Sequence, residues 1–150
     1  MRAVIQRVKY ASVKVCGEVT GSIDGGLAVL LGIGMDDTEK DMKYIADKLV
    51  KLRIFSDEND KMNLSLGDVG GRILLISQFT LYGDCSHGRR PFFGNAMEPE
   101  GAKKMYEKTA EYITRLGFEV QTGVFGADMK LELLNDGPVT IILDSADGVK

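Results

Sequence analysis

Few residues in this chain could do covalent chemistry. In "DCSHG" Cys85 stands two residues from His87, which is the only histidine among the 150 residues. A thiol nucleophile needs a base within hydrogen-bond reach, and such pairs are assembled from distant segments more often than from neighbours two apart in a turn. A loop cysteine beside a loop histidine is the plainer reading, with a Cys85-dependent hydrolase of small esters kept as a rival. One histidine, two distant cysteines and scattered acids offer no zinc spacing, and "SDENDK" lacks the EF-hand loop pattern, so no metal is expected. The glycines of "GLAVLLGIGMDD" do not open a helix on a G-x-G-x-x-G turn, so no nucleotide cofactor is expected either.

What remains is uncharged. "SQFTLY", residues 77–82, puts hydroxyls and an amide at the C-terminal end of an apolar run. Side chains of a strand alternate, so Ser77, Phe79 and Leu81 point one way and Gln78, Thr80 and Tyr82 the other. Two readings stay open: a strand end whose polar groups satisfy local backbone, or a neutral site whose rigid amides and hydroxyls stabilise an oxyanion. A second stretch, "LELLNDGPVTIILD" (131–144), interrupts β-like alternation with Asn135-Asp136-Gly137-Pro138. Asp-Gly fits a turn, whereas Pro138 fixes its own φ and cannot donate to a ladder.

The elements that must position these groups follow from periodicity. Residues 2–8 and 11–16 alternate with period two and read as paired strands, residues 21–26 as a turn, and "LAVLLGI" as a third strand covered on both faces. Thr38 is a plausible N-cap for a helix over 39–52, with Met42, Ile45, Ala46, Leu49 and Val50 on one face. "SDENDKMNLSLGDVGG" reads as a loop or short hairpin, and "RILLISQFTLY" as a strand over 72–82. A second helix runs from 99 or 100 to 116 and stops at Gly117. "FEVQTGV", "ADMKLELL" and "PVTIILD" complete the chain as three strands. The order ββ-βα-βα-βββ predicts a single α/β domain, 1–150, with three layers β/β/α: two layers of sheet and helices on one outer face. The sheet face left over calls for a partner, and a homodimer is the natural one.

Composition agrees with a compact domain: 44% of residues are hydrophobic and 27% charged. Disorder is expected only in the last residues, "SADGVK". No apolar run is bilayer length, and "MRAVIQRVKYASVKV" does not read as a signal peptide, so a cytoplasmic protein with free Cys16 and Cys85 thiols and no membrane contact is expected. A net charge of −3 argues against a general nucleic-acid coat. It leaves room for a local basic patch, for which Arg89-Arg90 and Lys103-Lys104 are candidates; for the two lysines alone, solvated surface charge is the better reading.

"SQFTLY" followed by "NDGPVT" (135–140) resembles the paired signature of the D-aminoacyl-tRNA deacylases. The likeness extends through "IQRV" (5–8), "ASVKVCGEVTGSI" (11–23), "RIFSDENDKMNLSL" (53–66) and "QTGVFGADM" (121–129), essentially the whole chain. It departs at Phe92 in "GRRPFFGNA", where the family commonly has serine. The resemblance implies a D-aminoacyl-tRNA deacylase fold and a homodimeric hydrolase that cleaves the ester between a D-amino acid and the 3′ end of tRNA. It implies that Ser77, Gln78, Phe79 and Thr80 line the pocket and that Ala102, Phe125 and Met129 lie at the terminal adenosine. It further implies that a cis Gly137-Pro138 enters the partner subunit's site, with Arg7 holding that loop.

On that reading two main-chain carbonyls receive the substrate ammonium, and an L side chain is refused by collision with backbone rather than by a missing hydrogen bond. Glycine, having nothing to collide, passes as well, including glycine mischarged on alanine tRNA. No His, Lys or carboxylate of the motif could activate Thr80 as a nucleophile, so attack by water is favoured, with amides near Phe79 and Thr80 and the ribose 2′-OH assisting. The rival from another class is a non-catalytic dimeric module in which both motifs are strand ends.

Overall fold

The computed structural model of the chain describes residues 1–149. Its first strand, β1 (Arg2–Val15), runs without a break. The expected gap at residues 9–10 is absent, and the turn falls instead at Cys16-Gly17, both in left-handed backbone (φ 50° and 83°). The two halves of β1 do not pair with one another because each has another partner on the same edge. β2 (Glu18–Ile23), whose last three residues fall in the turn expected over 21–26, pairs antiparallel with the C-terminal half, and β3 (Gly26–Gly32) pairs antiparallel with the N-terminal half.

After β3 the chain forms α1 (Glu39–Lys51), capped as expected at Thr38. The Thr38 hydroxyl accepts from the Lys40 amide at 3.3 Å, and the Asp41 carboxylate accepts from the Thr38 amide at 2.8 Å, which satisfies donors that a helix start leaves orphaned. A small hairpin, β4 (Phe55–Ser56) with β5 (Met62–Leu64), leads into β6 (Arg72–Ser77). β6 lies parallel to β3, from Gly26 opposite Arg72 to Leu31 opposite Ser77, and parallel to β7 (Val120–Thr122) on its other side.

Here a second expectation is corrected. The strand read as 72–82 stops at Ser77, and Phe79–Tyr82 form a 3₁₀ turn. The Gln78 amide makes the last bond to this neighbour, donating to the Leu31 carbonyl at 2.8 Å, and β3 ends one residue later. With no ladder left to join, the backbone curls, and the alternation of faces across residues 77–82 is lost with it.

α2 (Pro99–Arg115) buries Ala102, Tyr106, Thr109 and Ile113, and the chain leaves it through Gly117 at φ 96°. β8 (Lys130–Asp144) is one strand where two were expected. It pairs antiparallel with β1 from Lys14 opposite Lys130 to Arg2 opposite Asp144, and its register shifts between Gln6 and Tyr10 of β1, near Gly137-Pro138. The interruption is therefore absorbed as an irregularity inside a strand, as bulges are, and is not a turn between strands.

The sheet carries a core on each face, which gives the β/β/α layering. Leu27, Val29, Leu31, Ile73 and Leu75 face the helices and pack with Ile45, Leu49, Tyr106 and Ile113. Ala28, Leu74 and Ile76 face the other way and pack with Val8, Ala11 and Val13 of β1 and Ile23 of β2, where the curled sheet folds over itself. Both faces of β3 and β6 are thus covered, so these strands read as unbroken apolar runs. Among the described residues β8 pairs with β1 alone, and its Ile142 is 73% exposed. Part of the tail expected to be disordered, Ser145–Asp147, is a 3₁₀ turn whose Ser145 hydroxyl accepts from the Met1 ammonium at 2.6 Å; Lys150 lies outside the described residues. No helix among the described residues is long and apolar enough to cross a membrane.

Candidate active site

The carboxyl ends of parallel strands are where α/β sheets hold ligands, because the chain must leave the sheet there and the strands part. β3, β6 and β7 part just beyond Leu31, Ser77 and Thr122. A cleft of about 290 Å³ opens at this point. Ser77, Gln78 and Phe79 line it from the β6 side, Ala102 from α2, and Phe125, Met129 and Leu131 from the segment after β7 and the start of β8. Six residues singled out in the sequence thus meet around one cavity.

Thr80 does not line the cleft and is exposed, but its hydroxyl accepts from the Gln78 side-chain amide. Gln78 therefore ties the first turn of the 3₁₀ segment to the cleft wall. The Phe79 and Thr80 amides have no protein acceptor among the described residues. Amides at the start of a helical turn are such orphans, and they are the groups an oxyanion could use. The Phe79 ring is 57% exposed and meets Phe93 edge to face at 5.1 Å, which fixes its direction without covering it.

Gly137, Pro138 and Arg7 stand apart from the cleft of their own chain. The Gly137-Pro138 bond is cis, and Gly137 has φ 136°, backbone that an L side chain rarely adopts. Arg7 is 8% exposed. Its Nε donates to the Asp136 carbonyl at 2.9 Å and its Nη1 to the Ile54 carbonyl at 2.7 Å, and Asp136 carries a further ion pair to Lys9 at 3.3 Å. From the other side the Asn135 side chain accepts from the Val139 main-chain amide at 2.7 Å through Oδ1 and donates to the Val139 carbonyl at 3.2 Å through Nδ2. A Cβ added to Gly137 would come within 2.9 Å of Arg7 Nη2 and of Val139 Cγ2. The Gly-Pro segment is thus clamped by side chains on both flanks.

Asn135 as a clamp was missed in the sequence, although its signal was there: Asn before a turn-like segment commonly bonds backbone a few residues on. Phe93 had no comparable signal. Cys85 and His87 do not line the cleft; the Ser86 hydroxyl lies 2.7 Å from His87 Nδ1 and, with its own amide, bonds Asp84 and holds that carboxyl below its ordinary range. Among the described residues no three His, Cys, Asp or Glu side chains stand close enough to hold a metal ion. Lys103 and Lys104 are exposed and paired one turn away with Glu107 and Glu100, contacts worth little in water, whereas Arg89 and Arg90 make no ion pair among the described residues.

Comparison with known proteins bears on the same residues. A family model described as D-Tyr-tRNA(Tyr) deacylase matches residues 4–144. The chain is 56% identical to the D-aminoacyl-tRNA deacylase of Thermosipho africanus (strain TCF52B) over 145 residues, 97% of each chain. It is 58% identical to the protein of that name from Clostridium beijerinckii (strain ATCC 51743 / NCIMB 8052), again over 97% of each. Among solved structures it is similar to a c-Myc DNA Unwinding Element Binding Protein, with a TM-score of 0.90 and 41% identity over 96% of this chain and 98% of that one. A second, "a probable eukaryotic D-amino acid tRNA deacylase", shares the fold with a TM-score of 0.82 at 17% identity, over 95% and 97% of the two chains.

Proposed function

The chain belongs to the D-Tyr-tRNA(Tyr) deacylase family, hydrolases of the aminoacyl-tRNA ester, and from that premise we propose how its residues divide the work. The observation that carries the reading is the cleft at the end of β6, where Ser77, Gln78 and Phe79 face Ala102, Phe125 and Met129. A flat aromatic and a thioether on one wall suit an unpaired adenine, and a polar segment with free amides on the other suits the ester carbonyl. Water attacks that carbonyl, the Phe79 and Thr80 amides receive the charge that develops on its oxygen, and the neighbouring ribose 2′-OH assists departure of the 3′ oxygen. Thr80 orients through its bond with Gln78 and forms no acyl intermediate. An aminoacyl ester is already reactive, so positioning and oxyanion stabilisation are sufficient.

Chirality is read by Gly137-Pro138 of a second copy of the chain, inserted beside the cleft as part of a homodimer. The clamp of Arg7 and Asn135 supports this assignment, because a filter made of main-chain atoms discriminates only if it cannot yield. The partly exposed outer face and unpaired edge of β8 are the surface on which two copies meet. A D side chain points to open space and an L side chain meets backbone; glycine passes, so glycine mischarged on alanine tRNA is a second substrate. Arg89, Arg90 and Lys103 meet acceptor-end phosphates. The reaction takes place in the cytoplasm, where aminoacyl-tRNA is made, and needs neither metal nor thiol. One relative is named for a DNA element, but a net charge of −3 leaves this chain only local basic patches for nucleic acid.

The test is to incubate the protein with D- and L-tyrosyl-tRNA, with and without a thiol blocker and a chelator. Selective release of D-tyrosine, unaffected by either reagent, is expected. Loss of activity with the thiol blocker returns the site to Cys85, and equal cleavage of both esters removes the chiral role of Gly137-Pro138.

A further inference from the structure

The two walls of the cleft part where the β6–β7 ladder ends, at Leu75 opposite Thr122. Beyond that pair one strand continues to Ser77 and the 3₁₀ turn, the other through Gly123 to Phe125 and Met129. Tyr106 of α2 sits at this fork and is 4% exposed. Its hydroxyl donates to the Leu75 carbonyl of β6 at 2.6 Å. Burial pushes the phenol well above its ordinary value, so the hydroxyl keeps its proton and remains a donor across the working pH range. The same ring lies 5.8 Å from the ring of Phe125 at an angle of 51°, and Ala102 of the cleft is one helical turn earlier on α2. On its other side Gly123 is closed by Met129: a Cβ there would stand 2.5 Å from the Met129 sulfur.

We propose that Tyr106 is a positioning residue that sets the separation of the two cleft walls, and so the placement of the terminal nucleoside against the ester-cleaving segment. Tyr106 touches no substrate. Its hydroxyl is tied to β6 at the last residue of the ladder, and its ring backs Phe125 on the nucleoside wall, so one side chain touches both walls. This rests on the reading of the cleft as the site for the aminoacylated 3′ end. Any buried tyrosine hydroxyl needs a partner; what points to positioning is that this one's partner is the strand carbonyl at the fork while its ring supports the opposite wall, and a purely structural bond would leave the chemical step untouched.

The experiment compares wild type, Tyr106→Phe and Tyr112→Phe at a temperature well below the unfolding of all three. Tyr112 is the control on the same helix: its hydroxyl bonds Asp47 of α1 at 3.1 Å, on the face away from the cleft. With D-tyrosyl-tRNA, Tyr106→Phe is expected to lower kcat by about 10-fold or more with KM within about 3-fold, since a small misplacement of reacting groups costs the chemical step most. Tyr112→Phe is expected to match wild type. The Tyr106→Phe loss should be equal with D-tyrosyl-adenosine, which lacks the rest of the tRNA, because the fault is local to the nucleoside. Unchanged kcat in Tyr106→Phe overturns the proposal, as does an equal loss in Tyr112→Phe. If Tyr106→Phe does not fold, Gly123→Ala moves the same wall from the Met129 side, and wild-type kcat in that variant overturns the proposal. Inactivity of the wild type toward D-tyrosyl-tRNA would instead refute the reading of the cleft itself.

Discussion

The cleft at the end of β6 and the Gly137-Pro138 segment of β8 do opposite things with the same material. At the cleft the groups on offer are side chains and, on the short turn beside it, two amides without a protein acceptor among the described residues, held by a Gln78–Thr80 bond and an edge-on Phe93. In β8 the exposed group is backbone, and the side chains around it, Arg7 and Asn135, look inward to hold it. The second region is held on both flanks by buried or partly buried side chains, as the proposed role of refusing a shape requires. Changes to the clamp should therefore damage stability and chiral discrimination together, whereas changes to the cleft should damage rate and leave the fold alone.

The largest effect expected is that of Arg7→Ala. It leaves the Asp136 and Ile54 carbonyls without their buried donor, at a cost of about 1–3 kcal/mol for each such group. Urea unfolding should show that loss, and cleavage of D-tyrosyl-tRNA should fall by roughly two orders of magnitude because a site misplaced by about 1 Å loses that much. Full activity in a destabilised Arg7→Ala protein would dissolve the distinction between clamp and cleft. Next comes Thr80→Ala, for which a fall in kcat of about 10-fold with unchanged unfolding is expected, the size of one lost orienting hydrogen bond of about 1 kcal/mol. A trapped acyl-enzyme in the wild type, with no residual activity in the variant, would make Thr80 the nucleophile instead.

Asn135→Ala is expected to do less. It removes one side of the clamp and about 1 kcal/mol of stability, and it should narrow the ratio of D to L cleavage by a few-fold without abolishing turnover. The smallest effect lies away from both regions, at Asp144. Burial pushes this carboxyl up, but the Arg2 guanidinium and the Ala146 amide outweigh burial and hold it below its ordinary value. A depressed carboxylate stabilises the fold at pH above its unfolded value, about 3.9, and that contribution is lost as pH falls through the lower folded value. The midpoint of thermal unfolding, followed from pH 7 to pH 3, should thus drop less below about pH 4 in Asp144→Asn than in wild type.

Much of this division was legible in the sequence, for reasons that differ by element. Both helices announced themselves through apolar residues at helical spacing, the Thr38 cap and the Gly117 stop, all of which are local. Strand ends were misread where the deciding fact is a distant partner. The Gln78 turn exists because β3 has ended, and β1 continues past Lys9 because β2 and β3 divide its edge between them. "SQFTLY" and "NDGPVT" drew attention as polar or proline-bearing interruptions of apolar runs, but their meeting with Ala102, Phe125 and Met129, or with Arg7, depends on tertiary contacts. Tyr106 carries no sequence signal beyond that of one apolar position on a helix face. Its partner, the Leu75 carbonyl, is main chain and carries no letter of its own.

If each site joins the cleft of one copy to the clamped backbone of another, two differently damaged proteins should repair each other. Gln78→Trp obstructs the cleft, and Gly137→Val forces an L side chain into φ 136° backbone against Arg7. Each homodimer alone should fail on D-tyrosyl-tRNA. Mixed by unfolding and refolding in equal amounts, half of the dimers are mixed and one site in each is whole, so roughly one quarter of wild-type activity should return. No recovery in a mixture shown to contain mixed dimers would contradict the account, and would place the cleft and its chiral filter in the same chain.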